Sequence, residues 1–162
     1  MRRLRMLMAT FATAALIGGC GQETGEQQRD RQAEPSDVTS KTFGDYVLHF
    51  NAISTDQLAP EVARAYNIVR SKNRAMLTVS IIKGNEGSAG ESQPGDVTAT
   101  AANLTGQIKN LSLREIRENE AIYYIGDVAV ANAETLVFDI DAIPEGSTNQ
   151  FSVRFSRQFF AD

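Results

Sequence analysis

From Lys41 onward apolar residues recur at every second position, the spacing that places them on one face of a β-strand. Tyr46, Leu48 and Phe50 share one face of the first run, opposite Asp45, His49 and Asn51. Leu77, Val79 and Ile81 are in phase in a second run, Val97, Ala99 and Ala101 alternate with threonines in a third, and Leu111 with Leu113 predicts a further short strand. The strongest alternation comes late, in Ile122, Tyr124, Gly126, Val128 and Val130, then Leu136, Phe138 and Ile140, then Phe151, Val153 and Phe155. Turn-forming residues separate these runs: Lys83 to Asp96 reads as a Gly-, Ser-, Asn- and Glu-rich hairpin loop, Asn132-Ala133 as a tight link, and Pro144-Glu145-Gly146-Ser147 as a closing turn. About seven short strands and no long helical pattern predict an all-β domain, an immunoglobulin/fibronectin-like antiparallel β-sandwich. A closed barrel of similar strand count is the alternative. One segment departs from the pattern: Asp56 to Tyr66 has Pro60 at a first-turn position and Val62 four residues before Tyr66, which predicts one short helix after the first strand. Such a helix would cap one end of the sandwich and carry Arg70 to Arg74 toward the strand that holds His49.

The first forty residues read differently. Met1 to Arg5 carries three arginines, Met6 to Ile17 is uncharged and apolar, and Gly18-Gly19 precede Cys20, the basic, apolar, small layout of a secretory signal peptide. The apolar run falls short of the roughly 18 residues that span hydrocarbon. Ile17-Gly18-Gly19-Cys20 resembles a bacterial lipobox, so cleavage after Gly19 and acylation of Cys20, with palmitate among the chains, is the expectation. The plainer alternative, a secreted protein with a free Cys20, leaves an unpaired thiol in an oxidising compartment. Gly21 to Ser40 has no aromatic residue, and Val38 is its sole sizeable aliphatic; such a stretch cannot offset its ordering entropy by burial. The expected organisation is a signal peptide over 1–19, an acylated cysteine and polar tether over 20–40, and a β-sandwich domain over 41–162. A polar coil of that length reaches roughly 25 Å.

Charge and cysteine content narrow the partners. Removal of residues 1–19 takes away Arg2, Arg3 and Arg5, so 13 basic residues face 20 acidic ones and the formal charge moves from −4 to −7. Nucleic acid is therefore not an expected partner, and lipid on Cys20 rather than a basic surface would hold the protein to a membrane. With Cys20 the only cysteine, no intramolecular disulfide and no thiolate metal cluster can form.

A few residues could carry chemistry. Arg64, Arg70, Lys72 and Arg74 form a basic cluster able to hold a carboxylate, phosphate or sulfate, or else to act as solvated charges and local partners of Asp56, Glu61 or Asp45. His49, the single histidine, could serve as base or ligand, but no metal-ligand spacing surrounds it and a structural role is the simpler reading. Asp139 and Asp141, with Asp127 on a neighbouring strand, could gather calcium; period two explains them more simply as the solvated face of a strand. Of the adjacent Tyr123 and Tyr124, one must leave the core and offers a contact residue. No phosphate loop, dinucleotide fingerprint, zinc spacing or nucleophile elbow occurs in the chain. No catalytic residue, metal site or cofactor is assigned.

The stretch Lys41-Thr42-Phe43-Gly44-Asp45-Tyr46-Val47-Leu48-His49-Phe50-Asn51-Ala52, followed by Leu58-Ala59-Pro60-Glu61-Val62-Ala63 and Arg70-Ser71-Lys72-Asn73-Arg74, resembles the bacterial domain-of-unknown-function family DUF4426, small envelope proteins of Gram-negative bacteria. The resemblance implies no activity. It does imply a candidate binding surface of His49, Asn51, Arg70, Ser71 and Asn73, to which the basic cluster adds Arg74. The expected function is that of a non-catalytic binding or interaction module, lipid-anchored in the envelope and facing the periplasm, with an envelope protein, peptide or glycan as partner. Gly21, where an aspartate would retain a lipoprotein at the inner membrane, favours the outer membrane. The alternative is a small periplasmic hydrolase or metal-dependent enzyme centred on His49.

Overall fold

The period-two runs become strands in two antiparallel sheets. The structure, a computed structural model, describes residues 37–84 and 90–161. The signal peptide, Cys20 and all but the end of the expected tether lie outside the described residues. Among the described residues the strands are β1 (Ser40–Phe43), β2 (Tyr46–Ser54), β3 (Arg74–Lys83), β4 (Glu91–Gln93), β5 (Gly95–Asn103), β6 (Ile108–Lys109), β7 (Arg114–Glu118), β8 (Ala121–Ala129), β9 (Glu134–Pro144) and β10 (Phe151–Phe159). The first sheet runs β1-β2-β3-β8-β7, with β4 pairing on β3 where β8 leaves it; the second runs β10-β9-β5-β6. The all-β sandwich expected from the alternation is the architecture observed. Seven of these strands have five or more residues, and the three short ones, β1, β4 and β6, border them.

The core is what the in-phase residues predict. Leu48, Phe50 and Ala52 of β2 and Leu77, Val79 and Ile81 of β3 face Leu136, Phe138 and Ile140 of β9 and Val153 and Phe155 of β10. Aromatic rings join the sheets: Phe155 lies 4.9 Å from Phe50 of the first sheet and 5.0 Å from Phe138 of its own. Toward one edge Phe151 stacks on Phe43 at 4.7 Å and tilts against Tyr46 at 5.4 Å, tying the β1–β2 hairpin to β10.

The short helix α1 (Pro60–Ala65) forms with Pro60 in its first turn. Asn67, at φ 51°, ends it: Ile68 N–H donates to Ala63 O at 2.8 Å and Asn67 N–H to Arg64 O at 3.2 Å, the paired bonds of a Schellman stop. The helix does not cap an end of the sandwich. It lies on the outer face of the first sheet, where Leu58, Ala63 and Ile68 bury Met76 and Ile125, with Ile53, Ile116 and Tyr123 around them. This second apolar layer exists because those outward strand positions are themselves apolar, which a strict in-out alternation hides.

Two loops differ from expectation. Leu111 and Leu113 are not in a strand; they lie on the segment that crosses from β6 in the second sheet to β7 in the first, and both pack against the core. Their alternation suits a plug as well as a strand. Gly126 makes room for this crossing, since a Cβ there would stand 2.5 Å from Ser112 O. Within the Lys83 to Asp96 stretch, Glu91–Gln93 pairs with Ile81–Lys83 as β4 rather than remaining loop, and residues 85–89 lie outside the described residues.

Candidate functional site

The basic loop is organised by one buried hydroxyl. Thr55, fully buried at the end of β2, accepts the Ser71 N–H at 2.9 Å and shares its proton between Val69 O at 2.9 Å and Ser71 O at 3.0 Å. Ser71 Oγ in turn accepts the Asn73 N–H at 3.1 Å, and Asn73 O accepts the Val130 N–H at 2.9 Å. Arg70 donates to Asp56 O at 2.6 Å, and Arg74 donates to Asp127 at 2.6 Å through Nε, pairing with it also through its terminal nitrogen. These bonds fasten the segment from α1 to β3 onto the ends of β2 and β8.

His49 and Asn51 are exposed side by side on the outer face of β2, the face that also carries Arg74 of β3. Ser40 of β1 and Ser80 of β3 flank His49 in register, and Thr78 stands beside Asn51. Arg157 of β10 reaches around the sheet edge to donate to Asn51 Oδ1 at 3.3 Å. The candidate surface is thus in two parts, with His49, Asn51 and Arg74 on the outer face of the first sheet and Arg70, Ser71 and Asn73 on the loop beyond its end. Asn51 pairs with Thr78, four residues along β3 from Arg74, which separates the two by about 13 Å at the usual rise per residue. Arg157 escaped sequence reading although it left a signal, because it interrupts the apolar phase of Phe151, Val153, Phe155 and Phe159.

Tyr66 latches the helix. Its hydroxyl donates to Glu118 at 2.6 Å, and Arg114 donates to its carbonyl. The bond to the Glu118 carboxylate, with a smaller share from burial, pushes the phenol up from its ordinary value of 10 to about 12. A folded-state value above the unfolded one means that the stabilisation is complete below pH 10 and is lost as pH rises through about 12. Alkaline titration of tyrosinate absorbance should therefore show a late step that disappears in Tyr66→Phe; a late step surviving that substitution would assign it to another tyrosine.

A cleft opens between the sheets at the edge formed by β7. This strand is polar except for Ile116, which packs outward under the helix, and pairing sets the other face: Glu115 and Arg117 stand opposite Tyr124 and Ile122, which are core positions, so both charges lie on the side toward the second sheet while remaining exposed at the edge. Tyr124 Oη accepts the Gly95 N–H at 2.8 Å and donates to Glu115 at 3.2 Å, linking the sheets. Burial raises the Tyr124 phenol, opposed by that N–H, while Arg117 holds the Glu115 carboxyl below its usual range. The cleft, about 420 Å³, is lined by Gly95, Asp96, Glu115, Arg117, Pro144 and Glu145 among others. Inward charges at a sheet edge also discourage edge-to-edge pairing. Of the two tyrosines, Tyr124 is thus the buried bridge, and Tyr123 turns outward against the helix cluster.

Asp127 does not join Asp139 and Asp141. It lies on the outer face of the first sheet, whereas they line a shallow cavity of about 280 Å³ on the outer face of the second, with Thr100, Ser152 and Arg154. There Arg154 lies 3.3 Å from Asp139, and Asp141 accepts Gln150 at 2.8 Å and the Ser152 hydroxyl. Among the described residues no three His, Cys, Asp or Glu side chains gather into a metal-sized group. None of the described helices is long and apolar enough to cross a membrane.

Comparison with known proteins gives one family. The family described as Domain of unknown function (DUF4426) matches residues 40–162. The crystal structure of a DUF4426 family protein from Pseudomonas aeruginosa PAO1 is similar at 31% identity and a TM-score of 0.63, over 76% of this chain and 94% of that one. FetP of uropathogenic Escherichia coli strain F11, recombinantly expressed in the periplasm, has the same fold at 15% identity and a TM-score of 0.52, over 76% of this chain and 93% of that one. A copper-bound FetP variant gives 13% identity and a TM-score of 0.52, over 76% of this chain and 90% of that one. A search of curated proteins gives no match.

Proposed function

The chain belongs to the DUF4426 family, and from that premise we propose that it is an envelope lipoprotein whose β-sandwich is a binding module rather than an enzyme. The observation that carries this reading is the outer face of β2, where His49 and Asn51 stand exposed on a hydrogen-bonded sheet with Ser40 and Ser80 in register beside the histidine. Rigid strands hold these groups in place, and the face is open enough for an envelope protein, peptide or glycan. The loop of Arg70, Ser71, Asn73 and Arg74 belongs to the same surface as its outlying part, and its bonds to Thr55, Asp56 and Asp127 keep its backbone in one shape. Lipid on Cys20 anchors the module, and Gly21 directs it to the outer membrane, facing the periplasm. An enzyme built on His49 would use one of the flanking serines as nucleophile and needs a group to orient the imidazole.

The test is crosslinking in intact cells with membrane fractionation, comparing the parent, Cys20→Ala, and the double variant His49→Ala/Asn51→Ala. The parent should pellet with membranes and capture a partner, Cys20→Ala should be released, and the double variant should remain anchored without the partner. Equal capture by parent and double variant would remove the contact from this face, and continued pelleting of Cys20→Ala would end the lipid-anchor reading.

A further inference from the structure

Strand direction places particular residues at one pole of the sandwich. β2 and β8 end there, and β3 and β9 begin there, since Ser54 pairs with Ala75, Ala129 with Arg74 and Glu134 with Phe159. β5 and β10 also end there, because Asn103 pairs with Leu136 and Phe159 with Glu134. Among the described residues, four of the five large apolar side chains that stand exposed belong to this pole: Val69 on the loop held by Thr55, 69% exposed, Leu104 on the β5–β6 turn and Ile108 at the start of β6, 74% and 76%, and Phe160 just beyond β10, 62%. Single exposed apolar residues scattered over a surface are ordinary; their collection at one end is not.

The turns that carry them are held firmly. Asn103 Oδ1 accepts the Thr105 N–H at 3.1 Å and the Gln107 N–H at 2.9 Å, fixing the turn that bears Leu104. Lys109 pairs with Glu134 at 2.7 Å, which joins that turn to the start of β9. The Ala161 N–H donates to Asn132 Oδ1 at 3.0 Å, fixing the chain on the far side of Phe160. The apolar tips are thus presented on ordered backbone.

The chain outside the described fold joins it along the edge of the first sheet, from the direction of this same pole. β1 pairs Ser40 with His49 and runs away from the pole, and the Phe50 N–H donates to Thr39 O, so Asp37 and Val38 continue toward it. β9, at 11 residues, is about 35 Å long at the rise of an antiparallel strand. The polar coil expected from the sequence over residues 20–40 has a mean reach of roughly 25 Å, less than that length, so the pole toward which Val38 and Asp37 run is held nearer on average to whatever Cys20 is fixed to.

We propose that this pole docks on the lipid bilayer, with Leu104, Ile108, Phe160 and Val69 entering the headgroup–acyl boundary. The proposal deepens the lipoprotein reading and rests on it. Contact is apolar rather than electrostatic: the mature chain is acidic, and Arg74 and Lys109 at the pole are already paired with Asp127 and Glu134. Docking leaves the outer face of β2, with His49 and Asn51, lateral to the membrane and open to a partner.

The chain has no tryptophan, so single introduced ones report position. The chain from Cys20 onward is coupled through that lone thiol to maleimide lipid in zwitterionic vesicles that contain bromine-labelled acyl chains. This attaches the domain whether or not cells acylate Cys20, a question settled separately by fractionation of Cys20→Ala. Leu104→Trp and Phe160→Trp should show blue-shifted emission and strong bromine quenching, and Thr148→Trp, exposed at the opposite pole, neither. Equal quenching at all three sites, or none at Leu104→Trp and Phe160→Trp, would overturn the proposal. So would a blue shift that grows with protein concentration in the absence of vesicles, which would seat a second copy on the pole.

Discussion

Phe155→Ala is expected to lower the stability of the domain by about 3–5 kcal/mol, the range for removing a large ring from a closed core. Phe155 is fully buried, and its ring is the link between Phe50 of the first sheet and Phe138 of the second. Deletion removes the apolar burial, leaves a cavity, and separates rings whose geometry adds about 0.5–1.5 kcal/mol per pair. The strands on either side are hydrogen-bonded and cannot close over the gap. With no disulfide available to the domain, that loss is a large part of a typical total of about 5–15 kcal/mol. Urea unfolding followed by tyrosine fluorescence measures it, with Phe160→Ala as the control: Phe160 is exposed, and its replacement should stay within about 0.5 kcal/mol of the parent. Similar losses in the two variants would mean that the sheets are not joined through the Phe155 ring.

Thr55→Val should cost about 2–3 kcal/mol although it keeps the shape of the side chain, because it strips a buried hub of its hydroxyl. The Ser71 N–H loses its acceptor, and Val69 O and Ser71 O lose their donor. Thr55→Ser retains those bonds and gives up one methyl, so it should cost clearly less. The change is local as well as global: amide exchange at Ser71 should accelerate in Thr55→Val before the strand amides respond. A serine variant as destabilised as the valine variant would show that packing, not the hydroxyl, holds the loop.

These two residues also mark the limits of sequence reading. Phe155 was legible as core, since it lies in phase with Phe151 and Val153 and the alternation needs no tertiary information. Thr55 was not, because a threonine at the end of a strand looks alike whether it meets water or the backbone of residues 69–71. Arg70, Ser71, Asn73 and Arg74 were legible as a cluster, but their partners sit 14 and 16 residues away at Asp56 and Thr55 and 53 residues away at Asp127. Period two also misplaced Leu111 and Leu113, because two leucines on a crossing segment have the same spacing as two on a strand. It missed the layer under α1 because Met76 and Ile125 are apolar residues on an outward face.

By itself, the sequence determined the all-β class, the positions of the long strands, their inward residues and the short helix. These follow from local alternation, turn residues and one proline, whose effects act within a few residues along the chain. The tertiary structure decided which sheet each strand joins, and therefore that Asp127 is on the other side of the sandwich from Asp139 and Asp141. It turned the mostly polar strand β7 so that Glu115 and Arg117 lie on the side toward the second sheet, and set His49 and Asn51 apart from the arginine loop while leaving Arg74 on the same sheet face as they are. It also gathered Val69, the Leu104 and Ile108 pair, and Phe160, three segments far apart in the chain, at the end toward which Val38 and Asp37 run. Pairing register and strand direction are relations between distant segments, chosen by the packing of the whole core, and no local pattern contains them.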